Sequence, residues 1–279
     1  MLMRPDKRVT AIIGGVLARA IARFGVDVFA VSFLSNHFHL ILRSADGSIP
    51  EFMQYVRCNI AKKVGGLRGW HGKFWDRRYD AEPILDDEAL EARLRYVVSQ
   101  GVKEGLVSFC REWPGLNSLP ELLNGERRQF SWPATVHAAA QAKDDDQDSP
   151  RYELVVRPLP AWEPLSEIER RERVARMVAD VEEEARAARQ GKAALGAEAV
   201  LAQDPLSTPP DSKHSPRPLC HTTRRELAAT YKAKYVDWAA AFHAASIEYR
   251  QGRPASFPPC AHRPPWRPKL QPPDVTLAA

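Results

Sequence analysis

The segment Ser32-Phe33-Leu34-Ser35-Asn36-His37-Phe38-His39-Leu40-Ile41-Leu42-Arg43 decides how the first half of this chain is read. Two runs rich in β-branched and aromatic residues, 26–34 and 37–43, are separated only by the polar pair Ser35-Asn36, which predicts a β-hairpin. Strand side chains alternate, so His37 and His39 project from one face, while Phe38, Leu40 and Leu42 project from the other. Two imidazoles about 7 Å apart along a strand can share one divalent ion, each lending a neutral ring nitrogen. A bare His-x-His is equally served by simple packing or hydrogen bonding.

Working outward, Val9, Ile12, Ile13, Val16, Leu17, Ile21 and Phe24 recur at helical spacing, so 8–24 reads as an amphipathic helix with Gly25 as its C-cap. After the turn Asp46-Gly47, the sequence Ser48, Pro50, Glu51 carries capping-box chemistry and opens a second helix, expected to end at Gly65-Gly66. A glycine-rich basic loop, 65–73, leads to a strand expected within 74–85. Asp86-Asp87-Glu88 then caps a third helix over 88–100. The order helix–strand–strand–helix–strand–helix predicts an α+β, ferredoxin-like sandwich without its first strand, because seven residues ahead of the first helix are too few to supply one.

The chain has 279 residues, enough for two domains, with 44% hydrophobic and 27% charged residues, as in ordinary soluble globular proteins. Its apolar stretches are far shorter than a membrane span, and its N-terminus lacks the apolar core of a signal peptide, so a cytoplasmic protein with no membrane partner is expected. Cys58, Cys110, Cys220 and Cys260 are too widely spaced for a zinc knuckle or a disulfide framework.

Net charge is +5. Within 57–78, the cations Arg57, Lys62, Lys63, Arg68, Lys73, Arg77 and Arg78 face one acid, Asp76, with Trp70, Phe74 and Trp75 interleaved. Such a run suits phosphate tracking along a nucleic acid, and equally a solvated helix face followed by a loop. Beyond Trp113-Pro114 the texture changes. The segment 141–150 is an acidic linker by composition, 165–190 and 222–251 read as helices, and 204–218 and the tail from 253 are proline-rich. The expected organisation is a domain at 1–118, an irregular linking segment at 119–160 and a helical, proline-rich region at 161–279.

On the third helix, Arg93, Tyr96 and Gln100 stack at three- and four-residue spacings, well away from the buried stripe of Leu90, Leu94, Val97 and Val98. Tyr96 is therefore free to reach a polar neighbour, with the Gln100 carbonyl beside it; a plain surface tyrosine next to a surface amide fits the spacing too. Tyr55, in a second Tyr-x-x-x-Asn, falls on the apolar side of its helix with Phe52 and Ile60 and reads as structural. His71 reads as an exposed loop residue, and Cys220-His221 as incidental.

A Ser-Asn-His-Phe-His-Leu strand followed by Tyr96-x-x-x-Gln100 on a helix resembles the single-tyrosine HUH transposases, most closely their REP-associated branch. The resemblance covers about 1–118 and includes Phe74-Trp75, the stretch 105–107 and Trp113-Pro114-Gly115. The REP-associated branch usually carries Asn-Pro where this chain has Gln100-Gly101, and Gln is the ligand type of the insertion-sequence transposases. The resemblance implies that His37, His39 and Gln100 bind Mg²⁺ or Mn²⁺, and that Tyr96 attacks a DNA phosphate to give a 5′-phosphotyrosine. It also implies that Arg57, Lys62, Lys63, Arg68, Lys73, Arg77, Arg78 and Arg93 contact single-stranded DNA beside a hairpin. A bacterial, nucleoid-associated location follows, a homodimer stays open, and a hairpin-binding protein without cleavage is the alternative. An RNA-binding module ranks below both, since the aromatic strand pattern of such domains is not evident.

Overall fold

The computed structural model describes residues 1–132, 149–207, 218–259, 261 and 263–264. The protein is α+β, with helices packed on two small antiparallel sheets. Two compact units are formed, Met1–Ala81 with Asp87–Arg217, and Glu82–Asp86 with Pro218–Ala279.

The first unit is built around α1 (Lys7–Phe24). Asp6 caps it by accepting from the Val9 amide at 3.0 Å, and Gly25, at φ 60°, closes it by donating to the Ile21 carbonyl. Most of α1 is buried, because three layers cover it. One is α2 (Ile49–Leu67); another is the hairpin of β1 (Asp27–Phe33) and β2 (Phe38–Arg43). Val28, Val31 and Phe33 of β1 join Phe52, Val56, Ile60 and Val64 of α2 in the core against α1. The third layer is a hairpin of β3 (Gln129–Ser131) and β4 (Arg151–Glu153). Gly14 and Gly15 make that layer possible. A Cβ on Gly14 would fall 2.3 Å from the Phe130 ring, and one on Gly15 would fall 2.3 Å from the Ser131 carbonyl oxygen.

Beyond the first hairpin come α3 (Asp87–Val98), α4 (Gln100–Lys103), a 3-10 turn at Cys110–Glu112 and α5 (Leu119–Asn124). The long α6 (Glu167–Ala188) buries Val174, Met177, Val178 and Val181, and α7 (Ala197–Ala202) follows. Ser166 and Glu169 form a reciprocal capping box at the start of α6.

Several expectations need correction. No strand forms within 74–83; Phe74 and Trp75 instead fold onto Phe38, and Ile84 makes only an isolated bridge to His221. The exposed ion pairs Lys73–Asp76 and Arg77–Asp80 and the missing N–H of Pro83 suit a turn-rich path rather than a ladder. The edge of β1 is instead covered by 116–118, where Phe33 donates to the Leu116 carbonyl and Ser118 to the Val31 carbonyl. Helix α2 runs through Gly65-Gly66, and the left-handed residue is Gly69, at φ 62°. Ser48 makes no capping bond, because its hydroxyl is engaged with Ser44 and the Phe24 carbonyl.

Nor is 119–160 a mere linker. It supplies β3, β4 and the fully buried Leu154, and α6 belongs to the first unit rather than to a separate C-terminal region. The expected linker 141–150 and the proline-rich 204–218 lie mostly outside the described residues, as does most of the tail.

In the second unit, α8 (Arg225–Arg250) is introduced by Asp86, which accepts from the Thr223 amide at 2.8 Å, and by His221, whose Nε2 lies 2.7 Å from Glu82. Trp238 stacks on Phe242, Phe257 packs against Phe242 and edge-on to Tyr249, and Trp238 Nε1 donates to the Pro259 carbonyl. Among the described residues no helix is long and apolar enough to cross a membrane.

Candidate functional site

The β1–β2 register, with Ser32 opposite His39 and Phe33 opposite Phe38, sets the alternation at the site. Phe38, Leu40 and Leu42 pack against the core, so His37 and His39 turn to the opposite face. Their rings meet edge to face with centroids 5.0 Å apart. His37 Nδ1 lies 2.7 Å from Asn36 Oδ1. An amide oxygen can only accept, so Nδ1 carries the proton and the Nε2 lone pair stays free.

Tyr96 approaches from α3. Its ring stands edge-on to His39, with centroids 5.3 Å apart and planes at 86°. Leu94 and Val97, on either side of it in sequence, are buried and fix the rotation of the helix. The helical path breaks at Ser99, and the break is filled by side chains. Ser99 Oγ donates to the Tyr96 carbonyl at 2.9 Å, and Gln100 Nε2 donates to the same oxygen at 2.8 Å. Gln100 is 2% exposed, and with its nitrogen used this way its carbonyl oxygen is the end left for His39 or an ion.

His39 Nε2 is buried and has no hydrogen-bond partner. Burial, then the neighbouring His37, lowers the His39 pKa to about 4; Gln100 opposes the shift and Lys103 adds to it. Partial desolvation also lowers His37, with Glu104 opposing. Both rings are thus neutral near pH 7, the state a metal ligand needs. An orphaned, neutral imidazole nitrogen beside a second imidazole and a buried amide fits a divalent ion. Among the described residues no group of three or more His, Cys, Asp and Glu side chains could hold one, so the set reaches three only by counting Gln100.

Arg93 places its guanidinium carbon 5.0 Å from the centroid of the Tyr96 ring, and Lys103 places its ammonium 4.4 Å from it. Lys103 escapes a reading of the sequence that stops at Gln100, although its spacing of seven from Tyr96 puts it on the same helical face.

The basic run is dispersed. Lys63 is 4% exposed, with its ammonium 4.4 Å from the centre of the Trp132 ring. Arg68 donates to the Leu2 and Arg4 carbonyls and pairs with Asp6 at 2.6 Å, tying down the N-terminal residues. Arg57 lies over Trp75 and donates to the Arg77 carbonyl. Lys62, Lys73, Arg77 and Arg78 remain exposed, with Trp70. Because Trp75 packs on Phe38, this loop meets β2 from the face opposite the histidines. Of the expected DNA contacts, only Arg93 joins the His–Tyr–Gln cluster.

Tyr55 lies between Phe24 and Trp132, with ring centroids 5.7 Å and 6.0 Å away. Burial pushes its phenol pKa up, against the pull of Arg19 and Arg23, so it is harder to ionise than a free tyrosine. Comparison with known protein families, characterised proteins and solved structures finds no match to this chain.

Proposed function

We propose that this protein is a metal-assisted, single-tyrosine DNA strand transferase of the HUH type, acting on single-stranded DNA beside hairpins. The observation that carries the reading is the edge-on approach of Tyr96 to His39, whose buried Nε2 makes no hydrogen bond of normal geometry although the Gln100 side chain lies beside the ring. A structural tyrosine has no need of an unsatisfied imidazole beside it, since such a nitrogen costs stability unless something binds it.

In this reading His37, His39 and the Gln100 carbonyl hold Mg²⁺ or Mn²⁺. When bound, the ion supplies Lewis-acid polarisation of the scissile phosphate and favours departure of the 3′-oxygen. The Tyr96 oxygen attacks phosphorus, forming the O–P bond as the P–O3′ bond breaks. The phenol proton passes to solvent water, and the departing 3′-oxygen takes one up. The product is a 5′-phosphotyrosine with a free 3′-OH, whose return attack rejoins the strand without external energy. A protonated phenol is a weak nucleophile, so positive charge close to the attacking oxygen is a chemical need. The α1, β1, β2, α2 order beneath the site is compatible with the ferredoxin-like sandwich of that family.

The test incubates the purified protein with Mn²⁺ and labelled single-stranded oligonucleotides spanning the gene's flanks, and resolves adducts on denaturing gels. A covalent adduct that disappears in Tyr96→Phe and His37→Ala, and survives in Tyr55→Phe, is the expected result. No adduct together with hairpin-specific binding supports the second reading, a DNA-hairpin binder that does not cut. That alternative draws on the first sheet, which among the described residues holds only β1 and β2 as strands.

A further inference from the structure

We infer that Lys103 and Arg93 form a two-cation clamp that holds the scissile phosphate against Tyr96. This rests on the strand-transferase reading and adds to it a phosphate-binding residue, Lys103.

The argument begins with the broken helix. Had α3 continued without interruption, residue 103 would stand two turns above Tyr96, about 10 Å along the axis. The helix is interrupted at Ser99, and α4, from Gln100 onward, carries Lys103. Gly101 is the reason α4 can sit so close. A Cβ there would meet Val107 at 3.1 Å and Trp113 at 3.5 Å, so glycine lets α4 press onto these two side chains without displacing Val107. From this position a helical side chain leans back toward the N-terminus, and Lys103 reaches the Tyr96 ring at 4.4 Å. Arg93, one turn before Tyr96, reaches the same ring at 5.0 Å.

Both cations could serve the ring alone, as ordinary cation–π contacts. Two features argue for an additional ligand. Neither side chain has a carboxylate ion-pair partner among the described residues, although Glu104 is adjacent in sequence and acts on His37. Lys103 is exposed, so its ammonium, 4.4 Å from the centre of the Tyr96 ring, is open to a ligand arriving from solvent. A monoanionic phosphodiester that touches Tyr96 and an ion on His39 must lie within reach of Lys103. Its charge there is complemented from two directions along the chain. Arginine can bond two phosphate oxygens at once, while lysine acts as a point charge.

The experiment uses the full chain and single-stranded oligonucleotides from the gene's flanks, with two readouts. Binding is followed by anisotropy across a salt series in the Tyr96→Phe background, and adduct formation is followed with Mn²⁺ in the Tyr96 protein. Lys103→Met is expected to lower the salt slope by about 0.7, the value for one phosphate contact on a single strand. It should also slow adduct formation about a hundredfold, the scale for losing one stabiliser of transition-state charge. Lys103→Arg should restore both, and an unchanged melting midpoint in Lys103→Met separates this from a folding defect. An unchanged slope and an unchanged rate in Lys103→Met would overturn the clamp while leaving the transferase standing. If the wild-type protein forms no adduct but Lys103→Met and Arg93→Met still flatten the salt dependence, the phosphate clamp stands and strand transfer falls.

Discussion

The Gln100 side chain donates to the Tyr96 carbonyl at 2.8 Å across the break at Ser99. One buried amide thereby links the backbone that carries the candidate nucleophile to the neighbourhood of His39. Gln100→Leu keeps the volume and removes this donor, but Ser99 Oγ still reaches the same oxygen. The expected loss of stability is about 1 kcal/mol, at the low end for a buried hydrogen bond, read from the urea midpoint at constant m. A Ser99→Ala/Gln100→Leu pair should cost more than the sum of the two single changes, since only the pair strands the carbonyl.

Gly14→Ala and Gly15→Ala should both destabilise the protein, although alanine is favoured over glycine in a helix by about 1 kcal/mol. The added methyl would meet the Phe130 ring or the Ser131 carbonyl oxygen. Overpacking of this kind costs about 1–3 kcal/mol, so the net change is smaller than the clash itself. Gly15→Ala is expected to be the worse, because its obstacle is backbone. Thermal melts of both variants decide the order, and a stabilised Gly15→Ala would contradict the packing of β3 on α1.

Acid stability should depend on Asp6. Burial raises its pKa, but the Val9 amide, Arg68 and Arg4 together outweigh burial and leave it below the ordinary carboxylate value. A carboxyl whose folded pKa lies below its unfolded one contributes stability above the unfolded value and loses it as pH falls through the folded one. Asp6→Asn, still a competent N-cap, should therefore be less stable than wild type at neutral pH. The two stability curves should converge below the folded pKa. Parallel curves at all pH values would show that the charge plays no part.

Cys110 and Cys58 should differ in reactivity. Burial, followed by the Glu182 carboxylate, pushes the Cys110 thiol up to about 12, whereas Cys58 is exposed. Mass spectrometry after brief alkylation of the native protein should find Cys58 modified and Cys110 intact until denaturant is added.

If the His39 site takes a divalent ion, Mn²⁺ must stabilise the fold by mass action, by about 2.7 kcal/mol at a hundred times its dissociation constant, and so raise the melting midpoint. The shift should vanish in His39→Asn. A shift that survives His39→Asn would place the ion elsewhere.

The parts of the fold and site that sequence reveals are those set by local periodicity. The 3.6-residue stripe of α1, the Gly25 cap and the alternation that sends His37 and His39 to one face depend on neighbours in the chain. What stays hidden depends on partners far away. Nothing near Gln129–Ser131 or Arg151–Glu153 marks three-residue strands, because each is held by the other and by the glycines of α1. Lys63 and Arg68 look like their cationic neighbours until Trp132 and Asp6 are seen to take them out of the surface run. Lys103, by contrast, lies seven residues beyond Tyr96 on the same helical face and is legible from spacing alone.

The closure of α1 by residues more than a hundred positions away has a consequence for how the chain comes to be folded. Contacts of such sequence separation form late, since loop-closure entropy must be overcome before they contribute. During synthesis, the candidate nucleophile and its histidines emerge well before Phe130 and Leu154 are available to seal the helix beneath them. Until then the Gly14–Gly15 face of α1 lies bare. A fragment ending near residue 118 should accordingly behave as an aggregation-prone intermediate, because the face of α1 beneath the first hairpin is sealed only when the distal hairpin arrives.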